Sequence, residues 1–452
     1  MASPAQVVPP GAIIEPDAHV THGGWPLWQR ILFRFFFVYW LLQIAPWAWF
    51  SDLPGASFLL GGYETAVDWA VTEGNSQLFH VRDRLIPTNG SGDTSYAWVQ
   101  LWLYLSIALC ASAVWSVADR RRRAYPALSY WLRQIVRYYI AAAALGYGIA
   151  KLFALQMSFP TTSQLATPLG DFLPMRLSWM FIGYSTPYQV FTGVVEMLAG
   201  LLLLYRPTIT AGLLLSAGAF ANVVMLNLGY DVPVKLYSSH LFVASLFLLA
   251  MDAPRLLNFL VLNRPVQGTP LYDQPLTAPW QVWGSRAVKV FFVFQLLYAP
   301  FVRSYEAFRA AQVPPKQRPF RTGVYTVTRY AVNGIAVPFA AADTMRWQDV
   351  IIDSERAGSI HTRDGLFQQR YGRGYFRYRA DTIAHTAAVW KTSTIPGDST
   401  FLFTMRYDVP DTSTIRLGAV IRGDSVTVEL ARTPRRFQLT ERQFHWLSEY
   451  NR

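Results

Sequence analysis

The sequence predicts two unlike parts in one chain: an all-α helical membrane bundle of about seven spans, then an all-β soluble domain folded as a small antiparallel barrel. Three observations carry this prediction. Only 15% of the 452 residues are charged while 52% are hydrophobic, against roughly 25% charged in an ordinary soluble chain, and a lipid-facing surface requires that deficit. Apolar runs of about 18 to 22 residues recur through the first two thirds of the chain, long enough to cross about 30 Å of hydrocarbon. After Arg303 the pattern changes to short alternating segments separated by turn signals, which marks antiparallel strands.

Residues 1–24 are polar and contain Pro and Gly, so a disordered tail is expected there. The first apolar stretch begins near Ile31 and is preceded by no cleavable signal pattern, so it is expected to stay as the first span. The polytopic domain runs over 25–305, with spans at 31–50, 98–117, 135–155, 188–205, 208–228, 234–251 and 284–303. The sixth carries Lys235 and His240 in its first two turns. Trp25, Trp28, Trp47, Trp49, Trp98, Trp131 and Tyr237 collect at run ends, as interfacial aromatic belts do. Residues 51–97 and 156–187 are rich in Gly, Pro and aromatics, and are expected to fold over the mouth of the bundle. Residues 254–262 are too short to span and are expected along the inner surface. A linker is expected at 306–319 and the barrel with its tail at 320–452, where Asn333-Gly334, Asp364-Gly365 and Gly423-Asp424 are the turn signals and roughly eight strands fit.

Orientation follows from the short loops, since Lys and Arg prefer the cytoplasmic side. About twelve basic residues, among them Arg30, Arg120 to Arg123, Arg137 and Arg206, flank one side, against about four on the other: Arg82, Arg84, Arg176 and Lys235. The expected location is therefore the cytoplasmic (inner) membrane, with the N-terminus inside and the barrel extracytoplasmic. The net charge of +12 is dispersed between apolar runs without a nucleic-acid motif, so the bilayer and not nucleic acid is the expected partner. Cys110 is the only cysteine, which excludes an intramolecular disulfide, CxxC redox chemistry and a cysteine-based zinc site.

Ionisable groups inside a membrane are costly, and each calls for a named partner. Lys151 lies near the end of the third run and Glu196 in the middle of the fourth. A further cluster, Asn222, Asn227, Tyr230, Asp231, Lys235 and His240, lies at the junction of the fifth and sixth. One reading has Lys151 and Glu196 stapling adjacent helices, with Gly148, Gly193 and Gly200 permitting close approach. The other has Lys151, Asn227, Tyr230, Asp231, Lys235 and His240 lining an outward-facing polar pocket with Glu196 as its floor, a setting for a proton relay. Pro233 breaks the helix between Asp231 and Lys235, and His240 is weighed as a structural residue against a metal or catalytic one, with no metal site assigned. In the soluble part, Asp343-Thr-Met-Arg-Trp347 and Phe444-His-Trp446 read as barrel core and end-plug, or as a ligand pocket in the barrel mouth.

The run from about Gly146 to Arg255 resembles the DoxX/DoxD-like membrane family, within a helical core of about 135–262. The likeness lies in Gly148-Ile-Ala-Lys151-Leu-Phe153, then Phe159-Pro160, then Gly193-Val-Val-Glu196-Met-Leu-Ala-Gly200 through Arg206, then a span holding Asn222. Members are small helical bundles, some of them subunits of thiosulfate:quinone oxidoreductase. The resemblance implies a quinone-facing or redox-associated membrane component, with Lys151 and Glu196 at the matching positions. It covers about a quarter of the chain; the extra spans and the fused barrel, itself loosely lipocalin-like, depart from it. No flavin, dinucleotide or haem motif is present, so an oxidoreductase partner subunit is expected to bring the redox centre. The alternative is a non-catalytic module whose barrel binds a lipid-like ligand or partner protein. A transporter, or an enzyme like the carboxylase-type helical membrane proteins, has no long matching stretch.

Overall fold

The structure is a computed structural model that describes residues 24–51, 55–89, 91–268, 271–273, 278–312, 319–339, 346–354, 356–367, 371–392, 400–442 and 444–449. The expected disordered tail, except Gly24, lies outside the described residues. The chain forms two compact units: Met1–Phe79, Val99–Ile135 and Leu271–Gln274 make the first, and the remainder the second.

The first unit holds α1 (Leu27–Ile44), α2 (Ala56–Gly74), most of α3 (Ser95–Ala118) and the start of α4 (Pro126–Leu152). α1 stops where Ala45 turns left-handed (φ 46°) ahead of Pro46, because the residue before a proline is disfavoured in the helical region. It packs on α3 through Phe37 against Trp115, with centroids 5.7 Å apart, and through Ser112 donating to the Ile31 carbonyl at 3.2 Å. α2 is a correction: the segment expected as a loop contains a 19-residue helix. Its scattered Gly61, Gly62, Glu64, Asp68 and Glu73 hide the apolar period from sequence. Arg34 is fully buried and shares its donors among the Tyr125 hydroxyl (2.7 and 3.0 Å), Ser116 Oγ (2.9 Å) and the Asp119 carbonyl (3.0 Å). A guanidinium persists in such surroundings only when its donors are met in this way.

The helical part of the second unit continues with α5 (Thr162–Leu165), α6 (Pro174–Tyr184), α7 (Thr186–Leu204), α8 (Ile209–Gly229), α9 (Lys235–Ala250), α10 (Ala253–Leu256) and α11 (Pro279–Gln312). Helices occupy all seven predicted places. Among the described residues, five stretches are long and apolar enough to cross a membrane: Leu27–Phe50, Ser95–Ala118, Thr186–Leu204, Arg206–Gly229 and Pro279–Gln312. α9, with 16 residues, reaches only about 24 Å and joins the segment Ala253–Val261 through a 78° bend. α4 is long, but Arg133, Arg137 and Lys151 interrupt its apolar character. The expected linker at 306–319 needs correcting, because α11 continues to Gln312, and 313–318 lie outside the described residues.

The C-terminal part is a closed eight-stranded antiparallel barrel. Its strands are β1 (Gly323–Val332), β3 (Asp349–Ile352), β4 (Ala357–His361), β5 (Arg373–Asp381), β6 (Thr386–Lys391), β7 (Phe401–Asp408), β8 (Thr414–Ile421) and β9 (Asp424–Thr433), with two-residue β2 (Ile335–Ala336) folded back on β1 and a short α12 (Gln438–Glu441) after β9. β1 closes the ring by pairing with both β3 and β9, from Val324 opposite Thr433 to Val332 opposite Val426. Asn333 (φ 51°) and Gly334 (φ 80°) form the two-residue β1–β2 turn, as the primed hairpin turns require. Alternate residues point inward, so Tyr325, Val350, Ile360, Phe376, Phe403 and Val428 meet around Trp347. That core is nearly solid: its cavity of about 20 Å³ has room for little more than one water. Of the expected aromatic plugs, Trp347 is core, whereas Phe444 and Trp446 are exposed and pack on each other at 4.9 Å.

Candidate functional site

α7 presents one buried stripe, Gln189, Gly193, Glu196, Gly200 and Leu203, at helical spacing. It lies antiparallel to α4 at backbone contact. A Cβ on Gly148 would sit 2.7 Å from the Met197 nitrogen and 2.8 Å from the Gly193 carbonyl, and one on Gly200 would meet Leu145 at 2.7 Å. The three glycines singled out in the sequence are therefore what brings the two helices together. This approach sets Lys151 Nζ in a hydrogen-bonded ion pair with Glu196 Oε1. Both side chains are buried, and Glu196 Oε2 is enclosed without a hydrogen-bond partner among the described residues. The Tyr147 phenol is within electrostatic reach of Glu196 and stacks obliquely near Tyr237 at 6.2 Å.

Two turns before Glu196, Gln189 brackets the Met157 backbone, donating to its carbonyl (2.7 Å) and accepting from its N–H (3.1 Å). Gly183 lies so close to the Ser158 carbonyl that a Cβ there would stand 2.3 Å away. The segment between α4 and α7 is thereby tied down beside the pair. It then docks on the outer wall of the barrel. Thr161 caps α5 with a reciprocal bond to Gln164, and the Asp353 carboxylate accepts from Ser163 N–H (2.9 Å) and Ser163 Oγ (2.6 Å). Ser359 Oγ donates to Ser163 Oγ (2.9 Å) and accepts from Arg373 Nε (2.7 Å), while Arg373 pairs with Asp349, itself 3.4 Å from His361. Burial pushes the Asp353 carboxyl above its ordinary range despite the Ser163 bonds. Asp349 moves the other way: burial raises it, but the hydrogen bonds and charges of His361 and Arg373 outweigh burial and hold it below the usual value.

The predicted cluster between α8 and α9 is organised by hydrogen bonds and ion pairs of its own. Asp93 explains most of it. Its carboxylate accepts from the backbone N–H of Lys235 (2.8 Å) and Leu236 (2.9 Å), capping α9 from a distant loop. Lys235 Nζ bonds Asp231 at 2.7 Å and lies 3.7 Å from Asp93, and Asp231 itself is left-handed (φ 50°), the break expected near Pro233. Asn227 donates to Ser238 Oγ (2.9 Å) and His240 Nδ1 bonds the Leu236 carbonyl within α9 (2.6 Å). Asn222 and Tyr230 are exposed on α8 and at its end. The cluster is thus mainly a turn-and-cap device. Among the described residues no group of three His, Cys, Asp or Glu is placed to hold a metal. Sequence reasoning missed Asp93, Gln189 and Ser163, because each bonds a partner far away in sequence that no local pattern points to.

Beside the pair, a largely apolar crevice of about 790 Å³ lies between α4, α7 and α11. Its lining includes Ile149, Leu152 and Met197, chain neighbours of Lys151 and Glu196, but neither charged residue.

No family model matches the chain, and no solved structure matches it. The chain is 33% identical over 116 residues to the "Uncharacterized protein YwoB" of Bacillus subtilis (strain 168), a match covering 26% of this chain and 73% of that protein. At that identity and coverage, the chain belongs, through this 116-residue stretch, to the same family as YwoB of Bacillus subtilis.

Proposed function

We propose that this protein is a DoxX-like component of a quinone-linked redox process in the cytoplasmic membrane, with Lys151 and Glu196 as its proton-handling site. The observation that carries this reading is the buried Glu196 carboxylate, held on one oxygen by Lys151 and enclosed without a partner among the described residues on the other. A buried carboxylate oxygen left unmet is costly unless a proton or a ligand donor completes it. The donors and acceptors of the pair match a quinone headgroup once the site opens: Lys151 would donate to its carbonyl, and Glu196 Oε2 would accept from a hydroxyl of the reduced form. Quinone reduction takes up two electrons and two protons. The electrons come from a partner oxidoreductase subunit, and Glu196 with Lys151 supplies or relays the protons. In this reading the N-terminus is cytoplasmic and the barrel extracytoplasmic, fixed to the α4–α7 segment through Ser163 and Asp353.

The test is binding of a short-chain quinone and its quinol to the purified protein, followed by tryptophan quenching. Wild type should bind, and Glu196→Gln, which keeps the shape but removes the charge, should weaken quinol binding about tenfold, the worth of one charge-assisted hydrogen bond. Equal binding by both proteins, or none by wild type with its native partners present, overturns the proposal. A second reading, a membrane-anchored assembly module, is favoured by the barrel's filled interior and its fixed docking on the α4–α7 segment. In that reading the barrel's outer wall holds a partner protein, and the interior holds no lipid-like ligand.

A further inference from the structure

The crevice between α4, α7 and α11 has a second character that the Lys151–Glu196 site does not use. α11 buries none of its residues. Aromatic pairs hold it beside α4 at two levels, Tyr138 with Phe292 at 6.1 Å and Phe153 with Phe301 at 5.3 Å, and the space of about 790 Å³ opens along this stretch. Its walls are apolar, with Ile149, Leu152, Met197, Phe294 and Leu297, and its lining has a single charged residue, Lys289. No carboxylate lines it, and Lys289 has no hydrogen bond or ion pair among the described residues. Lys289 also lies within electrostatic reach of Arg137 and Arg206. From Lys289 to Phe301 is twelve residues of helix, about 18 Å, close to the depth of one leaflet of a hydrocarbon core of roughly 30 Å.

We infer that the crevice holds an anionic phospholipid of the bilayer, its phosphate at Lys289 and one acyl chain along α11 toward Phe301. An apolar slot of leaflet depth takes any acyl chain. The lone lysine in its lining, with no carboxylate beside it, selects a phosphate carrying net negative charge over a zwitterionic one, which brings its own counter-charge. A quinone has a neutral headgroup and gains nothing from that end. The bound lipid fills space that α11 does not, and so holds α11 against α4 and α7 through dispersion contacts instead of direct packing.

The experiment is native mass spectrometry of the full-length protein, delipidated in detergent and offered dioleoyl phosphatidylglycerol or dioleoyl phosphatidylcholine at equal concentration. Wild type should retain phosphatidylglycerol about tenfold better, the worth of one charge-assisted contact. Lys289→Ala should lower its retention to the phosphatidylcholine level, and Lys289→Arg should restore it. Lys289 is exposed, so these substitutions leave the fold intact. Leu297→Trp, which fills the slot, should reduce retention of phosphatidylglycerol while Lys289 remains. Equal retention of the two lipids by wild type, no change in Lys289→Ala, or displacement of phosphatidylglycerol by a short-chain quinone overturns the inference. Loss of quinol binding in Glu196→Gln has no bearing on these readouts, so the two proposals fail separately.

Discussion

Substituting alanine at two glycines of α4, two residues apart, should change stability in opposite directions. At Gly148 the new methyl would stand 2.7 and 2.8 Å from backbone atoms of α7. Relief requires the helices to part by roughly half an ångström, since neither neighbour is a movable side chain, and forced overpacking of this kind costs about 1 to 3 kcal/mol. At Gly146 nothing lies within 4 Å of the added carbon, and replacing a mid-helix glycine by alanine gains about 1 kcal/mol. That gain is common to both variants, so they should differ by the overpacking cost, roughly 1 to 3 kcal/mol. Thermal unfolding of the full-length protein in detergent, read by tryptophan fluorescence, should place Gly146→Ala above wild type and Gly148→Ala several degrees below it. Parting the helices also loosens the Lys151–Glu196 pair, so Gly148→Ala should weaken whatever binds there. If both alanine variants melt together, α4 and α7 do not touch at Gly148 and Gly193, and the geometry of the proposed site is wrong.

Three further outcomes follow. Lys151→Met or Glu196→Gln alone should each cost about 3 to 5 kcal/mol by leaving a buried group unmatched, whereas the double variant should return to within about 1 kcal/mol of wild type; single variants as stable as wild type would mean that the pair is not ionised. Asp93→Ala should destabilise by about 1 to 2 kcal/mol through loss of the α9 cap, seen as faster hydrogen exchange at Lys235 and Leu236, and unchanged exchange there would contradict the capping. Asp349→Asn should cost roughly 2 kcal/mol at pH 7. Because the folded Asp349 carboxyl lies below its ordinary value, wild type loses this contribution as the pH falls below about 3.9. Chemical denaturation at pH 7 and pH 3 should therefore show the gap closing, and a gap that stays constant would exclude an ionised carboxylate as its source.

Much of this molecule is legible in its sequence because the signals are periodic and local. Hydrophobic length marked seven helical places, and alternation with Asn333-Gly334 marked the barrel. Composition does this because lipid and a barrel core each impose a repeating demand on every few residues. Gly148, Gly193, Lys151 and Glu196 were legible as a set because glycines in a membrane helix imply close approach, and buried charges imply partners. The helix from Ala56 to Gly74 was missed because its glycines and acids break the apolar period. The role of the polar cluster depended on a residue far away in sequence: Asp93 reaches Lys235 and Leu236 across more than 140 positions and caps α9 there. Ser163 and Asp353 meet across 190 positions, and their pairing depends on where the barrel wall comes to rest. The sequence by itself therefore determined the two kinds of architecture and offered the Lys151–Glu196 ion pair as one of two readings. Only the tertiary structure decided which polar groups converge, that Glu196 keeps one oxygen unmet, that the barrel is filled, and that a crevice remains beside α11, because each depends on distances between segments that no local pattern encodes.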